Sequence, residues 1–204
     1  MRRRPLLLTL VALALPGCSK KPPPAPPPRQ VLTVSGTAWE VVDGSWHVEG
    51  ETLVGLGGHV ETKTQMTDGT VEMDIEQAPS ATASSGAGHT VGIGYRHSLP
   101  YGDLARANGY SMNIQNPTFT VVRGANNYWQ PVTPDLRGYQ RSGFFDPRKN
   151  HVAIHMTGRS FGMDLNGNSL ITFDDPSYER GHTALWVEST TDPVRFSNVH
   201  FATK

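Results

Sequence analysis

An all-β antiparallel sandwich is the fold that this 204-residue sequence predicts, and three observations carry the expectation. From residue 31 onward, short runs alternate apolar and polar residues and are punctuated by Gly, Asp and Asn, the pattern of half-buried strands. An Asn166-Gly167 pair stands between two such runs, and Asn-Gly tolerates the positive φ angles of a two-residue hairpin turn. No amphipathic heptad, long 3.6-residue periodicity or internal repeat competes with this reading.

The chain opens with Arg2-Arg3-Arg4 and an uncharged, mainly apolar run from Leu6 to Leu15, followed by Pro16-Gly17-Cys18. Ten residues of helix reach roughly 15 Å, about half a bilayer core, so the run reads as a secretory signal and not as a spanning helix. The sequence has one cysteine, so an intrachain disulfide and a thiolate zinc cluster are both excluded. Lys20 to Gln30 contains six prolines between Pro22 and Pro28. They predict an extended polyproline spacer of about 30 Å. The expected organisation is therefore a signal over 1–17, a tether over 18–30 and one sandwich domain over 31–204.

Within the domain the expected strands are Trp39–Val42, Trp46–Val48, Thr52–Leu56, Thr70–Glu76, His89–His97, Tyr110–Gln115 and Phe119–Arg123. Then comes the hairpin: Val152, Ile154 and Met156 share one face of His151–Thr157, and Phe161, Met163 and Leu165 lead into Asn166-Gly167 and back through Leu170–Phe173. Val71, Met73 and Ile75, Val91, Ile93 and Tyr95, and Tyr110, Met112 and Ile114 are the expected core rows. Pro79–Gly88 reads as a flexible polar loop. Gly124–Asn150 reads as a long ordered loop, because it carries Tyr128, Trp129, Tyr139, Phe144 and Phe145.

Several of these stretches resemble known families. Leu15-Pro16-Gly17-Cys18 resembles the lipobox of bacterial lipoproteins, which implies that Cys18 is acylated and that the chain is anchored in the cell envelope. Ser19 after it resembles the signal for release to the outer membrane. His151-Val152-Ala153-Ile154 with Leu165-Asn166-Gly167 resembles the hairpin of laminin-G-like and concanavalin A-like jelly rolls. Gly181–Leu185 and Val194–Val199 are similar to the closing strands of the bacterial 3-keto-glycoside hydrolase branch of that fold. Glu72-Met73-Asp74-Ile75-Glu76 resembles the E-x-D-x-E strand of lichenase-type retaining glucanases, in which Glu72 would be the nucleophile, Asp74 its neighbour and Glu76 the acid/base.

Function is constrained more loosely. Residues 1–30 hold six of the 18 Lys and Arg and none of the 18 Asp and Glu, so the domain carries a net charge of −6, against a nucleic-acid partner. Three strands put hydrogen-bonding groups or glycine opposite their apolar rows: Glu72, Asp74 and Glu76; Gly92, Gly94 and Arg96; Ser111, Asn113 and Gln115. If those strands share a sheet, Glu72, Asp74, Glu76, Arg96, Asn113 and Gln115 form one saccharide-binding face, with Trp129 as a stacking platform. The pattern equally suits a solvated face, with Trp129 capping the core edge.

Catalysis by Glu72 and Glu76 needs carboxyl groups about 5–5.5 Å apart, whereas residues four apart in a strand are about 13 Å apart at Cα. The branch's middle strand commonly carries acids where Ser111 and Gln115 stand, which leaves hydrogen bonding without hydrolytic groups. His151 and His155 are likewise too far apart to share a zinc ion. Calcium sites occur in laminin-G relatives, but Asp164, Asp174 and Asp175 suit turn and strand-end chemistry. No cofactor or metal is expected. The leading expectation is a lipid-anchored, non-catalytic glycan-binding module. A 3-keto-glycoside hydrolase or lyase, a glucanase-like enzyme, and a structural lipoprotein without a small ligand are the alternatives.

Overall fold

The computed structural model describes residues 28–77, 90–98, 107–126 and 128–203. The expected signal, Cys18, nearly all of the proline tether and the Pro79–Gly88 loop lie outside the described residues. In chain order the strands are β1 (Val31–Val34), β2 (Thr37–Val41), β3 (Ser45–Glu49), β4 (Thr52–Leu56), β5 (Gly58–Met66), β6 (Gly69–Gln77), β7 (Val91–Ser98) and β8 (Asn108–Gln115). They continue as β9 (Thr118–Ala125), β10 (Tyr128–Pro131), β11 (Gln140–Arg141), β12 (Lys149–Thr157), β13 (Ser160–Leu165), β14 (Asn168–Asp174), β15 (Gly181–Val187) and β16 (Val194–Thr203).

Two antiparallel sheets stack face to face. The first runs β1-β2-β5-β15-β7-β8-β9-β10 with β11 also on β9, and the second runs β14-β13-β12-β6-β16-β4-β3. Alternation explains the layer between them. The first sheet turns Trp39, Val60, Ile93, Tyr95, Tyr110, Met112, Ile114 and Leu185 inward, and the second meets them with Leu53, Met73, Ile75, Ile154, Met163, Leu165 and Phe196, all 2% exposed or less. Each such side chain, fully buried, contributes about 1.5–3 kcal/mol from apolar area alone.

The Asn166-Gly167 turn forms as the sequence predicts. Both residues have positive φ, +52° and +75°, and Leu165 pairs with Asn168 across a two-residue loop. Asn166 also ties the turn to β12, because His151 N donates to its Oδ1 at 2.8 Å and Asn166 N donates to His151 O at 2.8 Å. The returning β14 is an edge strand in which Phe173 alone is buried. Gly124–Asn150 is ordered differently from a loop: β10 folds back on β9, a 3-10 turn over Pro134–Leu136 buries Leu136, and β11 caps the start of β9.

Two features bear on function. β6 lies in the second sheet, between β12 and β16, while β7 and β8 lie in the first. The polar face expected from the three strands is therefore split between opposite sides of the sandwich. β7 also breaks its alternation: pairing shifts between Tyr95 and Ser98, and Arg96 takes φ +45°. This bulge turns Arg96 inward and His97 outward.

Candidate functional site

The residues expected to act together fall into three environments. Glu72, Asp74 and Glu76 stand on the outer face of the second sheet, opposite the buried Val71, Met73 and Ile75. Their cross-strand neighbours are Ala153, His151 and Lys149 on β12 and His200, Ser197 and Arg195 on β16. Asp74 is the centre of a closed network: Lys149 Nζ is 2.9 Å from Oδ2, Asn198 Nδ2 donates to Oδ2 at 2.7 Å, and His151 Nδ1 is 2.9 Å from Oδ1. Burial would raise its carboxyl pKa, but hydrogen bonds from Lys149, His151 and Asn198 outweigh burial and hold it below the ordinary carboxylate value. An acid so occupied holds strands together.

Arg96 is structural as well. Its side chain is 1% exposed, and the guanidinium donates to Thr67 O through Nε (3.0 Å) and Nη2 (2.7 Å) and to Tyr178 O through Nη1 (2.7 Å). Nη2 also reaches Asp68 Oδ1 at 3.1 Å, and Cζ stands 4.9 Å from the centre of the Phe161 ring. Four of its five N–H donors are engaged by described residues and the side chain is buried, so a sugar hydroxyl has no access to it.

The outer face of the first sheet is different. A depression of about 300 Å³ is lined by His59, His97, Ala107, Ser111, Asn113, Val122, Trp129 and Trp186. Strand register builds it: His59, Trp186, Gly92 and Asn113 are neighbours across β5, β15, β7 and β8, and Ala184, Gly94, Ser111 and Val122 form the next row. Glycine at 92 and 94 removes the side chains of β7, and the Trp186 indole occupies that space. A Cβ at Gly92 would overlap Trp186 Cε2 and Cζ2, and one at Gly94 would stand 3.3 Å from Trp186 Cζ3. Trp129, which pairs with Gly124, repeats the device, since a Cβ at Gly124 would lie 2.6 Å from Trp129 Cε3.

Between the two indoles sits His97. Its ring is 6.4 Å from Trp129, 8° from parallel, and 6.4 Å from Trp186, while His59 stacks on Trp186 at 5.4 Å. His97 is 1% exposed and its Nδ1 has no hydrogen-bond partner among the described residues. Burial, with lesser contributions from His59 and His182, pushes its pKa down to about 3, so the ring is neutral at physiological pH. Burial lowers His59 too, against the opposing pull of Asp43, whose Oδ1 is 3.5 Å from His59 Nδ1. Ser111 Oγ donates to Asn113 Oδ1 at 2.6 Å, which fixes the amide; no described residue accepts from its NH2 group. Gln115 lies farther along β8 and donates to Thr90 Oγ1 at 2.9 Å.

This surface therefore brings Asn113 and Trp129 together, sets Gln115 at its margin, and excludes Glu72, Asp74, Glu76 and Arg96. His59, His97 and Trp186 were not among the residues expected to bind. Trp186 had a visible signal: in Thr183-Ala184-Leu185-Trp186-Val187 the alternation that buries Leu185 and Val187 puts a tryptophan on the outer face. No acid lines the depression among the described residues. The nearby acids are Asp43, held against His59, and Glu40 and Glu61, on β2 and β5 beside Lys63 (3.5 Å) and Arg29 (3.6 Å). No group of three or more metal-ligating side chains comes together among the described residues. Asp164 faces His155 at 3.0 Å, Asp174 accepts from Ser160 Oγ, and Asp175 accepts from Tyr110 and Arg123.

No family model matches the chain, and neither does any curated protein. Solved structures do. The carbohydrate binding module CBM66 from Bacillus subtilis superposes with a TM-score of 0.62 at 20% identity, covering 81% of this chain and 95% of that one. A β-1,3-1,4-glucanase (lichenase) derived from a mouse hindgut metagenome gives 0.58 at 10% identity, covering 85% and 96%. The Bacillus licheniformis β-glucanase gives 0.53 at 12%, covering 85% and 94%. These likenesses define the class of fold: the chain is a jelly-roll β-sandwich of the concanavalin A-like kind. At such identities they assign no residue a role.

Proposed function

We propose that the outer face of the nine-stranded sheet binds a saccharide without cleaving it, and that the protein presents this face at the bacterial cell envelope through a lipid on Cys18. One observation carries the binding half: two indoles laid over glycine backbone on either side of the buried His97, whose Nδ1 is unpartnered among the described residues. A sugar ring has an apolar C–H face that packs on an aromatic plane and a rim of hydroxyls that need hydrogen bonds. Trp186 and Trp129 supply planes, and His97, Ser111 and Asn113 supply polar atoms between them.

Glycoside hydrolysis needs two carboxyl groups flanking the scissile bond. The described lining residues include none, and Glu72 and Glu76 are on the other sheet. The carbohydrate binding module of the same fold supports a saccharide as the class of ligand. The envelope half is supported by the lipobox-like Leu15–Cys18 and the proline spacer that follows it. Several acyl chains give stable anchoring where one gives marginal binding.

The binding test is a glycan array probed with the purified protein and with Trp186→Ala. Wild type binds at least one glycan and Trp186→Ala, still folded by far-UV circular dichroism, loses it; a folded wild type that binds no glycan contradicts the proposal. For the anchor, Cys18→Ser is expected to lose palmitate label and leave the membrane fraction. Unlabelled wild type with unchanged membrane association of the variant contradicts it.

A further inference from the structure

We infer that the ligand is an uncharged oligosaccharide longer than a disaccharide, laid across the strands from Trp186 to Trp129 with His97 beneath its middle; this rests on the saccharide-binding reading above. The first ground is the shape of the aromatic surface. His59 on β5, Trp186 on β15, His97 on β7 and Trp129 on β10 form one succession of ring contacts at 5.4, 6.4 and 6.4 Å. β5, β15 and β7 run side by side at about 4.8 Å spacing and β10 lies beyond β8 and β9, so the row crosses the sheet instead of following a strand. A single sugar ring covers one indole. The two indoles are separated by the width of a third ring, His97, so both are occupied together only by a chain with a unit between its outer two.

The second ground is the chemistry under that middle unit. His97 Nδ1 is a buried ring nitrogen without a partner among the described residues, and the Asn113 amide is oriented by Ser111. His97 is one of the residues that line the depression, an orphaned polar atom costs stability unless something completes its hydrogen bond, and a sugar hydroxyl both donates and accepts.

The third ground is charge. Ser111 and Asn113 are neutral, the lining indoles are neutral, and no lysine, arginine or acid lines the depression among the described residues. A uronic or sulfated unit entering here would leave its solvent without meeting an opposite charge. Such a surface selects neutral sugars.

The test is titration calorimetry of the purified protein with ladders from monosaccharide to pentasaccharide of β-1,3-glucan, β-1,4-glucan, mannan, xylan and fructan, alongside oligogalacturonate of matched length. The expected result is that at least one neutral ladder gains tenfold or more in affinity from mono- to trisaccharide and then levels off, while oligogalacturonate binds at least tenfold more weakly. Trp129→Ala is expected to bring the trisaccharide down to the affinity of the disaccharide, which Trp186 still holds, and Trp129→Phe to restore most of the loss. Equal affinity for mono- and trisaccharide, oligogalacturonate binding as tightly as its neutral counterpart, or a folded Trp129→Ala with the wild-type ladder would each overturn this inference while leaving saccharide binding standing. Failure of every saccharide to bind folded protein overturns both.

Discussion

Trp186 rests on Gly92: its indole fills the space over the β7 backbone that any side chain at position 92 would occupy. The platform therefore depends on the absence of a Cβ one strand away. Gly92→Ala is expected to lift Trp186, costing about 1–3 kcal/mol through overpacking and lowering saccharide affinity by tenfold or more. Thermal melts, the tryptophan emission maximum and a binding titration on one sample check this. A variant with wild-type emission and affinity would show that the indole does not depend on that contact.

Asp74 gives the complementary prediction for the opposite sheet. Asp74→Asn is expected to destabilise by about 1–3 kcal/mol, because it removes the negative charge shared by Lys149, His151 and Asn198, yet leave saccharide affinity unchanged. Glu72→Gln and Glu76→Gln are expected within about 0.5 kcal/mol of wild type. Urea unfolding with parallel titrations decides the matter; loss of affinity in all three would return the ligand to this face.

Acid stability follows from His97. The unfolded ring takes a proton near 6.5 and the folded one only near 3, so the folded state binds fewer protons in between. Its contribution is fully present above pH 6.5 and falls with pH by up to about 1.4 kcal/mol per unit on the way to 3. His59, lowered in the same direction, adds to the fall just below its ordinary value. Asp74, whose pKa is lowered from 3.8, contributes stability above 3.8 that is lost on further acidification, which separates the two effects. Urea midpoints for His97→Phe from pH 7 to 4.5 are expected to decline less steeply than wild type; parallel curves would contradict the assignment.

Gly167 tests the organising hairpin. With φ +75° and nothing within 4 Å of a Cβ built there, Gly167→Val meets backbone strain without crowding and is expected to cost about 1–3 kcal/mol. An unchanged melting temperature would mean that the turn relaxes freely.

Alternation and turn chemistry made most strands legible. Val71, Met73 and Ile75, or Tyr110, Met112 and Ile114, name their inner face in any sheet, and Asn166-Gly167 announces its own turn. Sheet membership is another matter, because it depends on long-range pairing. β6 faces inward with the same residues whether it lies beside β7 or, as here, between β12 and β16, so nothing in Glu72–Glu76 reveals which outer surface it joins.

β5 is not legible in the sequence, because Val60 and Met66 are the only large apolar residues in it, although it is held between β2 and β15. One bulge turns Arg96 inward, which period-two counting cannot register. Of the candidate site, Asn113 and Trp129 were readable from parity and aromatic content. His97 was not, since the same bulge turns it outward.

The central claim is that the ligand lies on the outer face of the nine-stranded sheet. A crystal structure of the protein with a neutral oligosaccharide that it binds tests this most directly. The account predicts sugar rings packed on Trp186 and Trp129 with a hydroxyl hydrogen-bonded to His97 Nδ1. A sugar seated instead on the outer face of the seven-stranded sheet, against Glu72, Asp74 and Glu76, would contradict it.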